Sequence, residues 1–199
     1  MHTERGFTRL VGFSDGVVAI AITLLILPLV TSATELDGDV WNYLAANRFQ
    51  LFVFVLSFAV IGRFWMAHHS MYEKAGDYSA ALLWANLLWL LTIVFLPFPT
   101  ELLAASDHDE RLTYALYIGT MALTSGAALL QQGILIRHPE LQTAEARGTL
   151  RLLPAVTTTA IMIVALVASI VLPSVGLYSL LLLFLTSPID RLIGRRMRG

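Results

Sequence analysis

Long apolar runs separated by short polar connectors dominate the chain, and each run has the length of a membrane-crossing helix. A helix rises about 1.5 Å per residue, so roughly 20 apolar residues cross a hydrocarbon core about 30 Å thick. The pattern predicts six spans, near residues 10–31, 48–70, 80–103, 112–136, 152–172 and 174–190. The fifth and sixth are divided by Pro173-Ser-Val-Gly176, where proline and glycine predict a tight turn. The sequence therefore predicts an all-α membrane protein in which residues 1–199 form a single six-helix transmembrane domain.

The composition supports the same class of protein and excludes others. The chain has 57% hydrophobic and only 14% charged residues, whereas soluble domains carry about 25% charged residues. A net charge of −1 argues against nucleic acid as a partner. The absence of cysteine excludes disulfides, thiolate metal sites and cysteine nucleophiles.

The N-terminal run also has features of a secretory signal. Arg5 and Arg9 precede an apolar core, and Thr31-Ser-Ala33 resembles a small-residue cleavage site. Asp15 interrupts that core, which is atypical of a signal peptide. We therefore expect this run to be retained as the first span.

Basic residues gather on one side of the predicted spans and set the orientation, because cytoplasmic connectors carry an excess of Lys and Arg. With six spans and an internal N-terminus, two basic residues, Arg48 and Arg111, fall at outer ends. The remaining eleven fall at inner ends: Arg5, Arg9, Arg63, Lys74, Arg137, Arg147, Arg151, Arg191, Arg195, Arg196 and Arg198. We predict that both termini are cytoplasmic and that the C-terminal arginines face anionic lipid.

Ser14 and Asp15 place a hydroxyl and a carboxyl inside the first apolar run. An ionisable group at membrane depth is usually paired, water-facing or functional. If the first helix enters the membrane near Leu10, Asp15 lies roughly 7 Å inside it, and His68 or His69 and Asn86 reach a similar level on the second and third spans. We expect imidazole and amide N–H groups to serve as donors there and to fix the first helix against the other two.

Three other interpretations of these polar residues remain open. A metal site is disfavoured because adjacent His68 and His69 point to different helix faces and no further ligands accompany them. A proton relay through Asp15 and His68 is a second interpretation. Hydrolase chemistry is the weakest, because Gly12-Phe-Ser-Asp-Gly16 lacks the strand-to-helix context that a nucleophile elbow requires.

Beyond Asp15, the large apolar residues Ile20, Leu24 and Leu27 recur at i, i+4 and i+7, which places them on one face of a helix. Such a stripe alone is more often a packing face than a pore wall. The filter sequence Thr-Val-Gly-Tyr-Gly is absent, and no connector is long enough for a re-entrant loop. A selectivity filter made of carbonyl rings is therefore not expected.

The string Arg9-x-x-x-Phe13-Ser14-Asp15, followed by Gly16-Val-Val-Ala-Ile-Ala-Ile-Thr-Leu-Leu25, closely resembles the signature of the transmembrane protein 175 family. Trp65-x-x-His68 and Asn86-Leu87 also resemble positions of that family's second and third helices. Its members are potassium-permeable channels of endolysosomes and prokaryotes. The length of about 200 residues and the six spans match one prokaryotic subunit.

The resemblance implies a homotetramer whose first helices line a central pore. It implies a pore constriction of Ile20, Leu24 and Leu27 with Ile20 at the narrowest ring, and a hydroxyl ring at Thr23 associated with cation preference. It also implies that the motif of Arg9, Phe13, Ser14 and Asp15 packs the first helix against its own bundle. Pro28 follows the stripe and removes a backbone hydrogen bond near the outer end.

Together these features predict a potassium-preferring cation channel rather than an enzyme, with no cofactor and no bound metal other than permeating potassium. Its expected partners are potassium ions, the lipid bilayer and three further copies of itself, and its expected location is the prokaryotic plasma membrane as a multi-pass protein. The alternative is a proton- or ion-coupled transporter that uses Asp15 and His68. A membrane-embedded enzyme is disfavoured, because the apolar stripe offers no reactive groups.

Overall fold

The computed structural model describes residues 4–33, 38–105 and 110–171, and the regular structure within these ranges is helical. The helices there are α1 (Glu4–Leu24), α2 (Leu27–Ala33), α3 (Val40–Ala46), α4 (Arg48–Tyr72), α5 (Ala80–Phe95), α6 (Pro97–Ala104), α7 (Glu110–Arg137) and α8 (Leu153–Val171). A 3₁₀ turn at Pro139–Leu141 lies between α7 and α8. The all-α architecture predicted from the sequence is confirmed.

Five stretches within the described ranges are long and apolar enough to cross a membrane. They are Arg5–Ala33, Arg48–Tyr72, Ala80–Ala104, Arg111–Arg137 and Leu153–Val171, and they correspond to the first five predicted spans. The predicted sixth span, 174–190, and the C-terminal arginines lie outside the described residues.

The first span is two helices rather than one. Between α1 and α2, the amides of Leu25 and Ile26 bond carbonyls only three residues earlier, at 3.3 and 3.4 Å. Pro28 explains the break, because it has no N–H and its ring clashes with the carbonyl of Leu24, four residues earlier. The break therefore falls at the upper end of the apolar stripe.

The third span is divided for the same reason. α5 ends at Phe95 and α6 begins at Pro97, and the amide of Leu96 bonds the carbonyl of Ile93 at 3.2 Å. Ile93 stands four residues before Pro97, where the proline ring excludes an ordinary helical bond. The predicted span 80–103 is thus α5 followed by α6.

Contacts between connectors show which helix ends lie on the same side. The amides of Gly76 and Asp77 bond the carbonyl of Leu141 at 2.8 and 3.2 Å, and the ring of Phe7 stacks on Tyr72 with centroids 6.0 Å apart. The start of α1 therefore shares one end of the bundle with the α4–α5 and α7–α8 connectors. We call this the basic end, because it carries Arg5, Arg9, Lys74, Arg137, Arg147 and Arg151.

The core of the protomer lies around α7, which packs against α5 and α8 and also contacts α4 and α6. Trp89, Tyr117, Met121 and Met162 are fully buried there. α1 packs on α4 and α5 at the side of this core and contributes one face to it. Its opposite face has no neighbour among the described helices.

Candidate functional site on the first helix

One face of α1 is buried in the protomer and the other is open. The buried face carries Leu10, Ser14, Val18 and Ala21, and it continues through Leu25 beyond the end of the helix. These positions recur at intervals of three or four residues, so they form one continuous stripe. Among the described residues, contacts with α1 are therefore made along this one face.

The predicted pore residues lie on the open face. The exposed fractions of Ile20, Leu24 and Leu27 are 62%, 40% and 56%. Thr23 is also exposed, and its hydroxyl donates to the carbonyl of Ile20 at 2.7 Å. None of the four is buried by the part of the chain that the structure describes.

Small residues continue the open face toward the basic end. Gly12 and Gly16 are exposed, and a Cβ added at either would meet nothing within 4 Å. Small residues on a membrane helix allow another helix to approach closely. This part of α1 is therefore shaped for a second helix.

A chain of hydrogen bonds holds the buried face of α1 against α4 and α5. The Asn86 Nδ2 donates to Ser14 Oγ at 2.8 Å, and Ser14 Oγ donates to the carbonyl of Leu10 at 2.9 Å. His68 Nε2 contacts Asn86 Oδ1 at 2.8 Å, and because that oxygen is an acceptor, the imidazole nitrogen donates. The chain joins α4, α5 and α1 with each member bonded, and it contains His68 rather than His69.

Aromatic rings hold His68 in place. Its ring stacks on Trp89 with centroids 4.0 Å apart and on Tyr72 with centroids 4.3 Å apart. The Tyr72 hydroxyl donates to Gln131 Oε1 on α7 at 2.8 Å. Sequence reasoning did not identify Trp89, Tyr72 or Gln131, because their roles depend on which helices become neighbours.

Asp15 is not part of this chain. Its Oδ1 accepts from the indole Nε1 of Trp65 on α4 at 2.8 Å, so the prediction that imidazole or amide groups serve as its donors is wrong. The physical reason is helix geometry, because Asp15 is rotated about 100° from Ser14 and therefore faces α4. The bond still ties α1 to α4.

The motif of Arg9, Phe13, Ser14 and Asp15 was expected to pack α1 against its own bundle, but Arg9 and Phe13 do not do so. Both are on the open face, and Phe13 is 57% exposed. They stand four residues apart and so share a face that Ser14 does not. The motif therefore divides into Ser14 and Asp15, which face the protomer, and Arg9 and Phe13, which do not.

His69, the neighbour of His68 in sequence, does not join His68 and Asp15 in a metal cluster. His69 Nε2 lies 3.4 Å from Glu73 Oε1, and both side chains are exposed. Across the described ranges no group of three His, Asp or Glu side chains is placed to hold a metal ion. The side chains gathered here are suited to holding α1 in place.

Comparison with known proteins relates the chain to one family. A family model described as the endosomal/lysosomal potassium channel TMEM175 matches residues 9–97. A protein of Streptomyces collinus named a potassium channel is 35% identical over 150 residues, which cover 71% of this chain and 72% of that protein. A potassium channel of Chamaesiphon minutus is 39% identical over 116 residues, covering 56% and 57% of the two chains.

More distant relatives extend to vertebrates and to a solved structure. The mouse endosomal/lysosomal proton channel TMEM175 is 24% identical over 126 residues, which cover 61% of this chain but 25% of that protein. The crystal structure of a lysosomal potassium-selective channel TMEM175 homologue from Chamaesiphon minutus superposes with a TM-score of 0.75 at 23% identity, covering 94% of this chain and 98% of that one. That likeness establishes a shared fold.

Proposed function

Because the chain belongs to the TMEM175 family, whose members are ion channels rather than enzymes, we propose that it is one subunit of a homotetrameric, potassium-preferring cation channel. Four copies of α1 surround the pore. The names of the bacterial relatives support potassium as the permeating ion, and their source fits a prokaryotic plasma membrane. By the excess of basic residues, the basic end faces the cytoplasm.

The observation that carries this proposal is the open face of α1. Ile20 is 62% exposed although it belongs to a helix whose other side is buried and fastened. A fourfold arrangement turns that face toward an axis, where it lines a pore. The bonds of Ser14 and Asp15 to α5 and α4 hold each α1 at a fixed rotation, so that Ile20 points at the axis.

A ring of four Ile20 side chains forms the constriction. These side chains have no atom that replaces the water of a potassium ion, so a narrow ring loses its water and blocks conduction. Leu24 and Leu27 extend the apolar wall above it. Conduction requires the four helices to tilt or rotate until ions pass with part of their hydration shell.

Selectivity is modest and needs no filter of carbonyl rings. Potassium sheds water more readily than sodium, so an apolar ring passes it more easily. Thr23 adds oxygen atoms near the ring, because its hydroxyl proton is engaged by the carbonyl of Ile20 and its lone pairs remain for a cation or its water.

The transporter alternative requires Asp15 and His68 to exchange a proton. The two side chains are bonded to different partners, Trp65 and Asn86, and an indole N–H does not titrate. The chain that contains His68 ends at the carbonyl of Leu10, which carries no exchangeable proton. These contacts favour a structural role for Asp15 and His68, in which both hold α1 against α4 and α5.

Ile20→Asn tests the constriction. An amide at this position hydrates the ring, so we expect faster potassium flux from liposomes and a lower preference for potassium over sodium. Leu91→Asn is the matched control, because Leu91 is 65% exposed and lines a groove between α5, α7 and α8, whereas the proposed pore is lined by α1. Parental flux and selectivity in Ile20→Asn, or equal changes in the control, would refute the constriction.

Asp15→Ala separates the channel from the transporter. Loss of the bond to Trp65 should lower the assembled fraction in gel filtration, while the particles that do assemble conduct with unchanged selectivity. A transporter would assemble normally and lose the dependence of its flux on a pH gradient. Normal assembly of Asp15→Ala together with loss of the pH-gradient dependence would contradict the channel function.

A further inference from the structure

A cavity of about 240 Å³ lies between α4, α7 and α8, apart from the open face of α1. Its lining includes Arg63 and Lys74, the hydroxyls of Ser125 and Thr158, and apolar side chains such as Phe64 and Met71. A cavity with cationic and apolar walls suits an amphipathic anion.

The charges that line the cavity are of one sign. Among the described residues that line it, Arg63 and Lys74 are the charged ones, and none carries a carboxylate. Arg63 stands nine residues before the end of α4, which places its Cα roughly 13 Å inside the helix end. A guanidinium at that depth usually faces a polar cavity and marks a functional position.

The first turn of α8 adds to the positive potential. Pro154 and Ala155, the second and third residues of this 19-residue helix, line the cavity. Pro154 has no amide hydrogen, so the amide of Ala155 and the helix dipole are the features here that favour a negative group. Gln132 holds this end in place, since its Nε2 donates to the carbonyl of Arg151 at 2.7 Å.

The cavity also contains a buried hydroxyl that the described residues leave without a hydrogen bond. Ser125 is 4% exposed and lines the cavity, and its Oγ has no hydrogen-bond partner among the described residues. A buried hydroxyl without a hydrogen bond is unfavourable, because it has lost its hydration and gained no partner in return. A bound oxyanion would accept its proton.

We propose that this cavity binds a phosphate group, presented by an anionic lipid headgroup or by soluble phosphate. Arg63 and Lys74 bind its oxygens, the α8 N-terminus and Ser125 donate to it, and the apolar walls hold the attached carbon atoms. His68 also lines the cavity and is bonded through Asn86 to Ser14 on α1. Occupancy therefore affects the pore helix, a consequence that rests on the proposed channel function.

Binding is measured on the full-length protein by native mass spectrometry after purification from vesicles of phosphatidylglycerol or of phosphatidylcholine. The double variant Arg63→Gln/Lys74→Gln should retain phosphatidylglycerol about tenfold less than the parent, because two charge-assisted contacts are lost. The matched control is Arg48→Gln/Arg111→Gln, which also removes two charges but at the opposite end of the bundle, and it should retain the lipid as the parent does.

Ser125→Ala keeps the test independent of folding, since it removes a hydroxyl that bonds no other described residue, and it should weaken retention several-fold. Competition by inorganic phosphate would assign the site to soluble phosphate, and its failure to compete would assign the site to the lipid. Equal retention of both lipids, or equal retention by the parent, Ser125→Ala and the double variant, would overturn the proposal. No ion flux enters this measurement, so its failure is distinct from failure of the channel function.

Discussion

At the scale of single residues, the first helix is fastened by a few polar contacts whose partners come from distant parts of the chain. The sequence predicted that Ser14, Asp15, Asn86 and either His68 or His69 lie at one depth, because counting residues along helices gives height. It did not identify Trp65 as the donor to Asp15, because rotation about the helix axis and the choice of neighbour arise from packing. The same limit applies to Arg9 and Phe13, which share a motif with Ser14 but not its face.

Ser14→Ala should lower the free energy of unfolding by about 1–3 kcal/mol, because the buried Asn86 amide loses its acceptor. The measurement is thermal unfolding of the purified protein in detergent. Thr159→Ala is a suitable control, since Thr159 bonds the carbonyl of Ala155 in its own helix at 2.9 Å and joins no second helix. If both variants melt like the parent, the polar chain does not hold α1.

At the scale of elements, hydropathy predicted the five spans that lie within the described residues, because a membrane-crossing helix needs a long apolar run. The helix breaks at Leu25 and Leu96 were harder to predict from the sequence. Pro28 indicated that one backbone hydrogen bond is missing. The end of α1 at Leu24, however, follows from the clash between the proline ring and the carbonyl four residues earlier. The short helix Val40–Ala46 was not predicted either, because it has less than two full turns of pattern. Tyr43 ties it to α2 by donating to the carbonyl of Leu29 at 2.9 Å.

The open face of α1 leads to a prediction about helix packing. Gly16→Leu places a large side chain on the surface through which copies of α1 pack in the proposed tetramer, so we expect that tetramer to dissociate into smaller species in light scattering coupled to gel filtration. Gly133→Leu is the control, because a Cβ there also meets nothing within 4 Å but the residue lies on α7. An intact tetramer in Gly16→Leu would show that α1 copies do not pack through this surface.

At the scale of the whole molecule, the described helices form a protomer that is complete on one side of α1 and open on the other. Large apolar side chains are exposed on several helices, among them Leu91, Leu123 and Val164, as expected for a surface in contact with lipid. Exposure alone does not distinguish a lipid-facing residue from a pore-lining one. For that reason periodicity identified the stripe, while the family resemblance supplied its role.

The most direct test of the central claim uses the absence of cysteine from the chain. Ile20→Cys introduces one thiol per subunit, and four thiols around a shared axis form a site for Cd²⁺, since soft metal ions prefer convergent thiolates. Potassium flux from liposomes containing this variant is measured with and without Cd²⁺, beside Leu91→Cys as a control at an exposed position that lines the groove between α5, α7 and α8 rather than α1. Block of Ile20→Cys alone at micromolar Cd²⁺ is the predicted result, whereas unchanged flux or equal block of both variants would contradict a pore lined by residue 20.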